Sequence, residues 1–417
     1  MKIVHTADLH IGMELHGPMN PTTGLARRLE DFLASLDRIV DAAIAERADL
    51  VIMAGDIYKG RDPTPTHQRE FAKRVMRLTR ESIPLVLLAG NHDLPNAENR
   101  ATSIDIFRAL DVAGVRVARA VDVERIDTPA GPVLVATLPW VPRSTLLTRA
   151  LARGAPMEEI EREMVGLIAN TVDELAGLVE GMRADPALAQ APAILVAHVH
   201  AQEARDGAER LLTVGTDPLI PIERLALQAF DYVALGHIHA HQVLMRHPAA
   251  VYPGSIERVS FGEEREAKGY VLAEVGRGSC EWQFVELPAR TYVTIKAEAL
   301  ADDPTDHVLR RIERRRAELP DAVVRVIARV SPQNQALFDE IRIRRALADA
   351  FWVQEIRREV DHPARARLAG MTVEGKTPLE LLEDYFVQKQ VPTDERARLR
   401  NYAVRLLQQV GSEPVTP

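Results

Sequence analysis

The chain has 417 residues, 46% of them hydrophobic and 27% charged, with a formal net charge of −8. That is the make-up of a globular chain of two to three domains. No stretch reaches the roughly 18 apolar residues of a membrane span, the apolar run after Lys2 is too short for a signal peptide, and a single cysteine, Cys280, excludes an intrachain disulfide. The expected location is therefore the cytoplasm, with no membrane partner. Residues 1–285 hold 30 Lys+Arg against 39 Asp+Glu, and residues 286–417 hold 22 against 21. Overall charge does not mark a nucleic-acid binder, although bound divalent cations would reverse the sign of an acidic cleft.

"KIVHTA" (2–7) is the first expected strand. Helical spacing of Leu25, Leu29, Phe32, Leu36, Ile39 and Val40 predicts a helix over 25–48. "DLVIMAGD" is a second buried strand ending at Asp56, a helix follows over about 66–81, and "PLVLLAGNHD" is a third strand. This βαβαβ order argues for a layered α/β core. "VRVARA" and "PVLVATLP" read as short strands, 157–181 as helix, and "AILVAHVH" and "DYVALGHIH" as two more strands. Four shorter strands follow between 242 and 287. The expected fold is α/β, two packed sheets flanked by helices.

Composition shifts near 289. "RTYVTIKAEA", "HVLRRIERRRAEL", "AVVRVIARV" and the tract 334–360 alternate strand and helix, which suggests a small α+β domain. The expected division is 1–288, 289–368 and 369–417. "RARLAGMTVEGK" (365–376) reads as a linker. Two helices follow it; Thr377, Pro378 and Glu380 form a capping-box signature for the first. Helices this short cannot bury much alone, so they pack on the body or bind a partner.

In α/β folds ligands sit beyond the carboxyl ends of strands. Five such ends carry the same chemistry: Asp8 and His10; Asp56; Asn91, His92 and Asp93; His198 and His200; His237 and His239. Each alone could be a cap, a turn or a satisfied core histidine. Together they have the composition of a metal site suited to Mn, Fe or Zn. Asp56 is the natural bridge, since a carboxylate offers one oxygen to each of two ions, and paired ions clamp a phosphoryl group and activate water. His92 is the candidate acid for the leaving oxygen. Strand alternation puts His198 and His200 on one face, so spacing does not choose between them. His16 and His241 read as solvated or neighbouring groups. "RRIERRR" (310–316) is either a phosphate-contacting stripe or a solvated helix face.

"DLH", "GD", "GNHD", an isolated His and "GHIH" resemble the calcineurin-like metallophosphoesterase signature. "HTADLHIG", "FDYVALGHIHAHQVL" and "VYPGSIERVSFGEEREAKGYVLAEV" resemble the SbcD family, the nuclease subunit of the SbcCD DNA double-strand break processing complex. The resemblance covers about 1–290 and weakens toward the C-terminus. It implies a two-sheet αββα metallophosphoesterase sandwich with a small α+β capping (DNA-binding) domain and C-terminal helices. It implies one metal held by Asp8, His10, Asp56 and His239, a second held by Asp56, Asn91, His198 and His237, and His92 as the catalytic residue. It implies two Mn2+ ions, with Mg2+ a weaker substitute. It further implies 3′–5′ double-strand exonuclease and single-strand endonuclease activity on DNA, a coiled-coil SbcC-like ATPase docked on 377–410, and a homodimer within a heterotetramer. The rival readings are a small-molecule nucleotidase or phosphodiesterase with the same site, and a non-catalytic metal-binding scaffold.

Overall fold

The computed structural model describes residues 1–95, 100–142, 157–205, 217–300, 303–360, 377–388 and 391–410. In chain order the first elements are β1 (Lys2–Thr6), α1 (Arg27–Ala45), β2 (Leu50–Met53), α2 (Pro65–Arg80), β3 (Leu85–Leu88), α3 (Asp105–Ala109) and β4 (Val115–Ala118). The next are β5 (Asp122–Thr128), β6 (Gly131–Leu138), α4 (Met157–Met182), β7 (Ala193–His198), β8 (His200–Ala201), β9 (Leu219–Ile220) and β10 (Tyr232–Gly236). β11 (Gln242–Arg246), β12 (Ala249–Tyr252), β13 (Lys268–Gly276) and β14 (Ser279–Leu287) complete two six-stranded sheets.

The first sheet runs β14-β13-β1-β2-β3-β4 and the second β11-β12-β10-β7-β6-β5. Four neighbouring strands in each are parallel, β1-β2-β3-β4 out to the edge of the first sheet and β12-β10-β7-β6 in the middle of the second. Strands such as "LVIM" are buried on both faces, as interior parallel strands must be. Ile3, Leu50, Ile52, Val86 and Leu88 of one sheet pack against Val133, Val135, Ile194, Val196 and Val251 of the other. The alternate residues face outward: Val4, Val51 and Leu85 meet Phe32, Leu36 and Phe71 of α1 and α2, and Leu134, Leu195 and Val233 meet Val172, Leu175 and Val179 of α4. The result is the αββα sandwich expected from the sequence.

A third sheet, β15 (Tyr292–Ala299), β16 (Val323–Val330) and β17 (Trp352–Val360), is parallel throughout. α5 (Pro304–Arg314) and α6 (Glu340–Ala346) connect its strands and cover one face through Val308, Ile312 and Ile343. Asp303 caps α5 by accepting from Thr305 N and Asp306 N. Charged side chains join this sheet to the sandwich. The fully buried Arg28 pairs with Glu257 (3.1 Å) and Asp31 (2.7 Å), Arg290 reaches the same Asp31 (2.5 Å), and Arg290 stacks on Phe351 (3.6 Å to the ring centroid).

α7 (Pro378–Gln388) and α8 (Thr393–Val410) pack on each other. The capping box at the start of α7 forms, with Thr377 N donating to Glu380 Oε2 (2.7 Å). The linker expected at 365–376 lies outside the described residues. No helix among the described residues is long and apolar enough to cross a membrane.

Three local expectations change. The strand over 193–200 breaks after His198, because its partner β10 ends opposite at Gly236; His200–Ala201 then pair with β9 instead. The helix over 307–319 stops at Arg314, and Arg315 turns back to donate to Thr294 O (2.8 Å). β5 and α3 are additional elements. β5 is a sheet edge whose residues are mostly exposed, so its sequence lacks an apolar run.

Candidate metal centre

Parallel strands within each sheet bring their carboxyl ends to one side, and the two sheets bring those ends together. Asp8 follows β1, Asp56 follows β2, and Asn91 follows β3; His198 ends β7, and His237 and His239 follow β10. The chain leaves three of these strands through a glycine placed before the functional residue: Gly55-Asp56, Gly90-Asn91 and Gly236-His237. All three are dictated by contact: a Cβ on Gly55 would lie 2.1 Å from His198 Nδ1. A Cβ on Gly90 would lie 2.2 Å from Asp56 Oδ1, and one on Gly236 would lie 1.9 Å from Ala54 O. Asp8, His10, Asp56 and His237 themselves have left-handed backbones (φ 52°, 45°, 52° and 107°). Such conformations cost about 1–3 kcal/mol each and cluster at functional sites.

Asp8, His10, Asp56, His198, His237 and His239 are each at most 4% exposed. Asp56 faces both sides: Oδ1 is 3.5 Å from His198 Nε2, and Oδ2 is 4.0 Å from His10 Nε2. Asn91 Oδ1 lies 3.0 Å from His198 Nε2 and 3.2 Å from His237 Nδ1. His10 Nε2 and His239 Nε2 are 2.9 Å apart. The Asp8 carboxylate accepts from His237 N (3.1 Å). His92 N donates to Asp56 Oδ1 (2.8 Å), and its ring stands edge-on to His10 at 5.0 Å.

The outer contacts fix which ring nitrogen points inward. A carbonyl can only accept, so Nδ1 of His198 carries the hydrogen that goes to Ala54 O (2.8 Å), and Nδ1 of His92 the one that goes to Lys59 O (2.9 Å). Glu263 takes Nδ1–H of His239 (2.9 Å), and Asp217 takes Nε2–H of His237 (3.2 Å). The inward atoms are then imidazole lone pairs, an amide oxygen and two carboxylates. Acceptors facing one another this closely repel unless a proton or a cation lies among them. His10 Nδ1, also buried, has no hydrogen-bond partner.

The charges respond to this crowding. Burial pushes Asp8 up to about 6. Burial works the same way on Asp56, yet His198, His92 and His10 hold it well below the usual carboxylate range. Burial lowers His198 and His239, but Asp56 carries the first and Glu263 the second up to about 9. His10, His92 and His237 are depressed, chiefly by burial.

Among the described residues, four groups of side chains could hold a metal ion: Asp8, His10 and His239; Asp8, Asp56 and His198; His10, Asp56 and His92; and His200, Asp217 and His237. The oxygen and nitrogen donor set, without thiolate, fits a borderline divalent cation. Every residue singled out at the strand ends is in this neighbourhood. His198, not His200, is the one beside Asp56 and Asn91; His200 lies on the far side of His237 with Asp217. His16 is elsewhere, bonded to Gln354, and His241 stacks on Phe284 (4.1 Å).

Residues 1–150 match the family model described as calcineurin-like phosphoesterase. The match spans Asp8, His10, Asp56, Asn91 and His92. Among solved structures, a dimetal phosphatase from Danio rerio aligns with 68% of this chain and 98% of its own, at 12% identity and a TM-score of 0.36. The protein TT1561 of Thermus thermophilus aligns with 68% and 98%, at 16% identity and a TM-score of 0.33. Likeness of that degree says nothing about chemistry.

Asp93 is placed at its strand end by the sequence but without a role, and other neighbours are not singled out there. Asp93 accepts from Ile57 N, Tyr58 N and Gly90 N (3.0–3.1 Å), pinning the second strand end to the third. Burial, then Asp56, pushes it up to about 7. Trp140 lies against the His237 ring (4.9 Å). Asp217 and Glu263 have no spacing relation to the histidines they hold. The one available signal for Glu263 is its place in "FGEE" within the segment that resembles the SbcD family.

Proposed function

We propose that this chain is a divalent-metal phosphodiesterase acting on DNA, a Mn2+-dependent 3′–5′ double-strand exonuclease and single-strand endonuclease of the SbcD type. The two oxygens of the buried Asp56, turned to opposite histidine groups, carry the metal part of this reading. Asp8, His10, Asp56 and His239 would hold one ion, and Asp56, Asn91, His198 and His237 the other. Bound there, two divalent ions would supply positive charge to the phosphoryl oxygens and lower the pKa of water.

The chain's own groups do the rest. His92 keeps Nδ1–H on Lys59 O, so Nε2 is its free nitrogen and is the atom that passes a proton to the leaving oxygen. Burial weakens its hold on that proton, which makes the protonated ring a better donor. Fixed Nδ1 contacts on His92, His198 and His239 orient the rings before substrate arrives.

The DNA substrate is supported by the resemblance over about 1–290 and by the architecture after residue 289. A third sheet tied to the sandwich, and a helix pair with Tyr385, Val387, Leu399 and Tyr402 exposed, exceed what a mononucleotide needs. That helix pair is where a coiled-coil ATPase of the SbcC type would dock, with two nuclease chains in the assembly.

The test is end-labelled duplex DNA incubated with Mn2+, Mg2+ or chelator, beside His92→Ala. Mn2+-dependent shortening from the 3′ end is expected. His92→Ala should lower kcat by about 10²–10⁴-fold, the scale of general acid catalysis. Hydrolysis of a small phosphodiester with DNA left intact would overturn the nuclease reading, and metal binding without either activity would indicate a scaffold.

A further inference from the structure

Behind His239 lies a buried charge cluster with no part in the ligand set. Glu263 and Lys268 are both fully buried, and their side chains meet at 2.8 Å. Glu263 Oε1 accepts from the His239 ring (2.9 Å), while Oε2 also accepts from Val259 N (3.0 Å). Lys268 Nζ donates to His239 O (3.0 Å), Ser255 Oγ (2.8 Å) and Glu266 Oε2 (2.8 Å). Ser255 N donates to the same carbonyl (3.0 Å). The histidine is thus gripped by its ring from Glu263 and by its backbone from Lys268 and Ser255.

Stability alone does not call for such a pair. Desolvating two charges offsets most of their attraction, and apolar residues of similar volume commonly do as well or better. The neighbouring rings show a simpler alternative: His198 and His92 are fixed by backbone carbonyls. A carboxylate holds a ring more tightly and makes its other nitrogen more basic. It needs its own cation to stay ionised at that depth, and Lys268 supplies it.

We propose that Glu263, neutralised by Lys268, is a positioning residue: it fixes the tautomer and plane of His239 so that Nε2 joins Asp8 and His10 as a cation ligand. Glu263 itself is not a ligand. The assignment rests on the metal-dependent reading above.

The experiment measures Mn2+ binding to the full chain, by electron paramagnetic resonance of the free ion during titration, with thermal unfolding in chelator as the fold control. Variants are Glu263→Gln and the apolar pair Glu263→Leu with Lys268→Met. Wild type should bind two ions. The apolar pair should melt near wild type in chelator yet bind one ion about 10–100-fold more weakly, the usual loss when a partner of a ligand is removed. Glu263→Gln, which keeps an acceptor for Nδ1–H, should fall between. Wild-type Mn2+ affinity in a folded apolar pair, or in Glu263→Gln should the pair not fold, would make the cluster merely structural and overturn the proposal while leaving the metal reading intact. Wild type that binds no Mn2+ would overturn both.

Discussion

The strand ends and the arginine run at 310–316 are both short, strongly polar stretches of sequence, and the structure treats them in opposite ways. At the strand ends, polar atoms are drawn out of water and made to face one another. Along α5, Ile312 goes into the core while Arg310, Arg311 and Arg314 stay exposed; of the run, Arg315 folds back to Thr294 and Arg316 pairs with Glu313 and Asp349. Polarity alone does not separate the two. What separates them is whether desolvation has been imposed on groups that a solvated surface would have left free.

That contrast can be broken by substitution, beginning at its most sensitive atom. Asp56→Asn removes the carboxylate common to two of the ligand groups. Phosphodiester hydrolysis should fall by about 10³-fold or more, since a single lost electrostatic stabiliser can cost that much. Initial rates at saturating Mn2+ check it, and near-normal rates would remove Asp56 from the centre of the site. Gly90→Ala probes the same place through the backbone. The new Cβ would sit 2.3 Å from Asp56 N as well as against its side chain. Overpacking of this kind costs about 1–3 kcal/mol, read from the urea midpoint.

On α5 the effects should be small and uneven. Arg315→Ala gives up the hydrogen bond to Thr294 O and should cost about 1 kcal/mol. Arg314→Ala should stay within about 0.5 kcal/mol, as surface changes do. Equal losses in denaturant titrations would erase the distinction drawn here. Smallest of all is a change of rate without any mutation. Burial, reinforced by Asp231 and Glu281, pushes the Cys280 thiol up to about 12. Because burial disfavours the thiolate, iodoacetamide should label native protein at pH 8 more slowly than urea-unfolded protein, and native labelling should accelerate as pH rises toward 12.

Much of this architecture is legible in the sequence. Apolar runs such as "LVIM" and "LVLL" announce buried parallel strands, and the polar residue after each run marks the end where chemistry belongs. The repeated glycine before Asp56, Asn91 and His237 is visible too, although its cause, a neighbouring strand end within 2.3 Å, is not. What stays hidden has a tertiary origin. β5 is a mostly exposed edge strand with a polar sequence. Glu263, 24 residues from His239, looks like any surface acid until Lys268 is seen buried against it. The choice of His198 over His200 beside Asp56 depends on where β10 ends, which no periodicity of β7 encodes.

The distribution of the site over both sheets also bears on how the molecule comes into being. His10 and His239 touch across 229 residues of chain, and Asp8 meets His237 across the same interval. Contacts this remote close last during folding, because the loop entropy must be met before they form. The centre therefore exists only once β10 has docked, and the strands of either sheet alone would hold half of it. A cation that binds the finished site and not the open chain then acts as a latch on the whole sandwich, with its binding energy added to the stability of the fold.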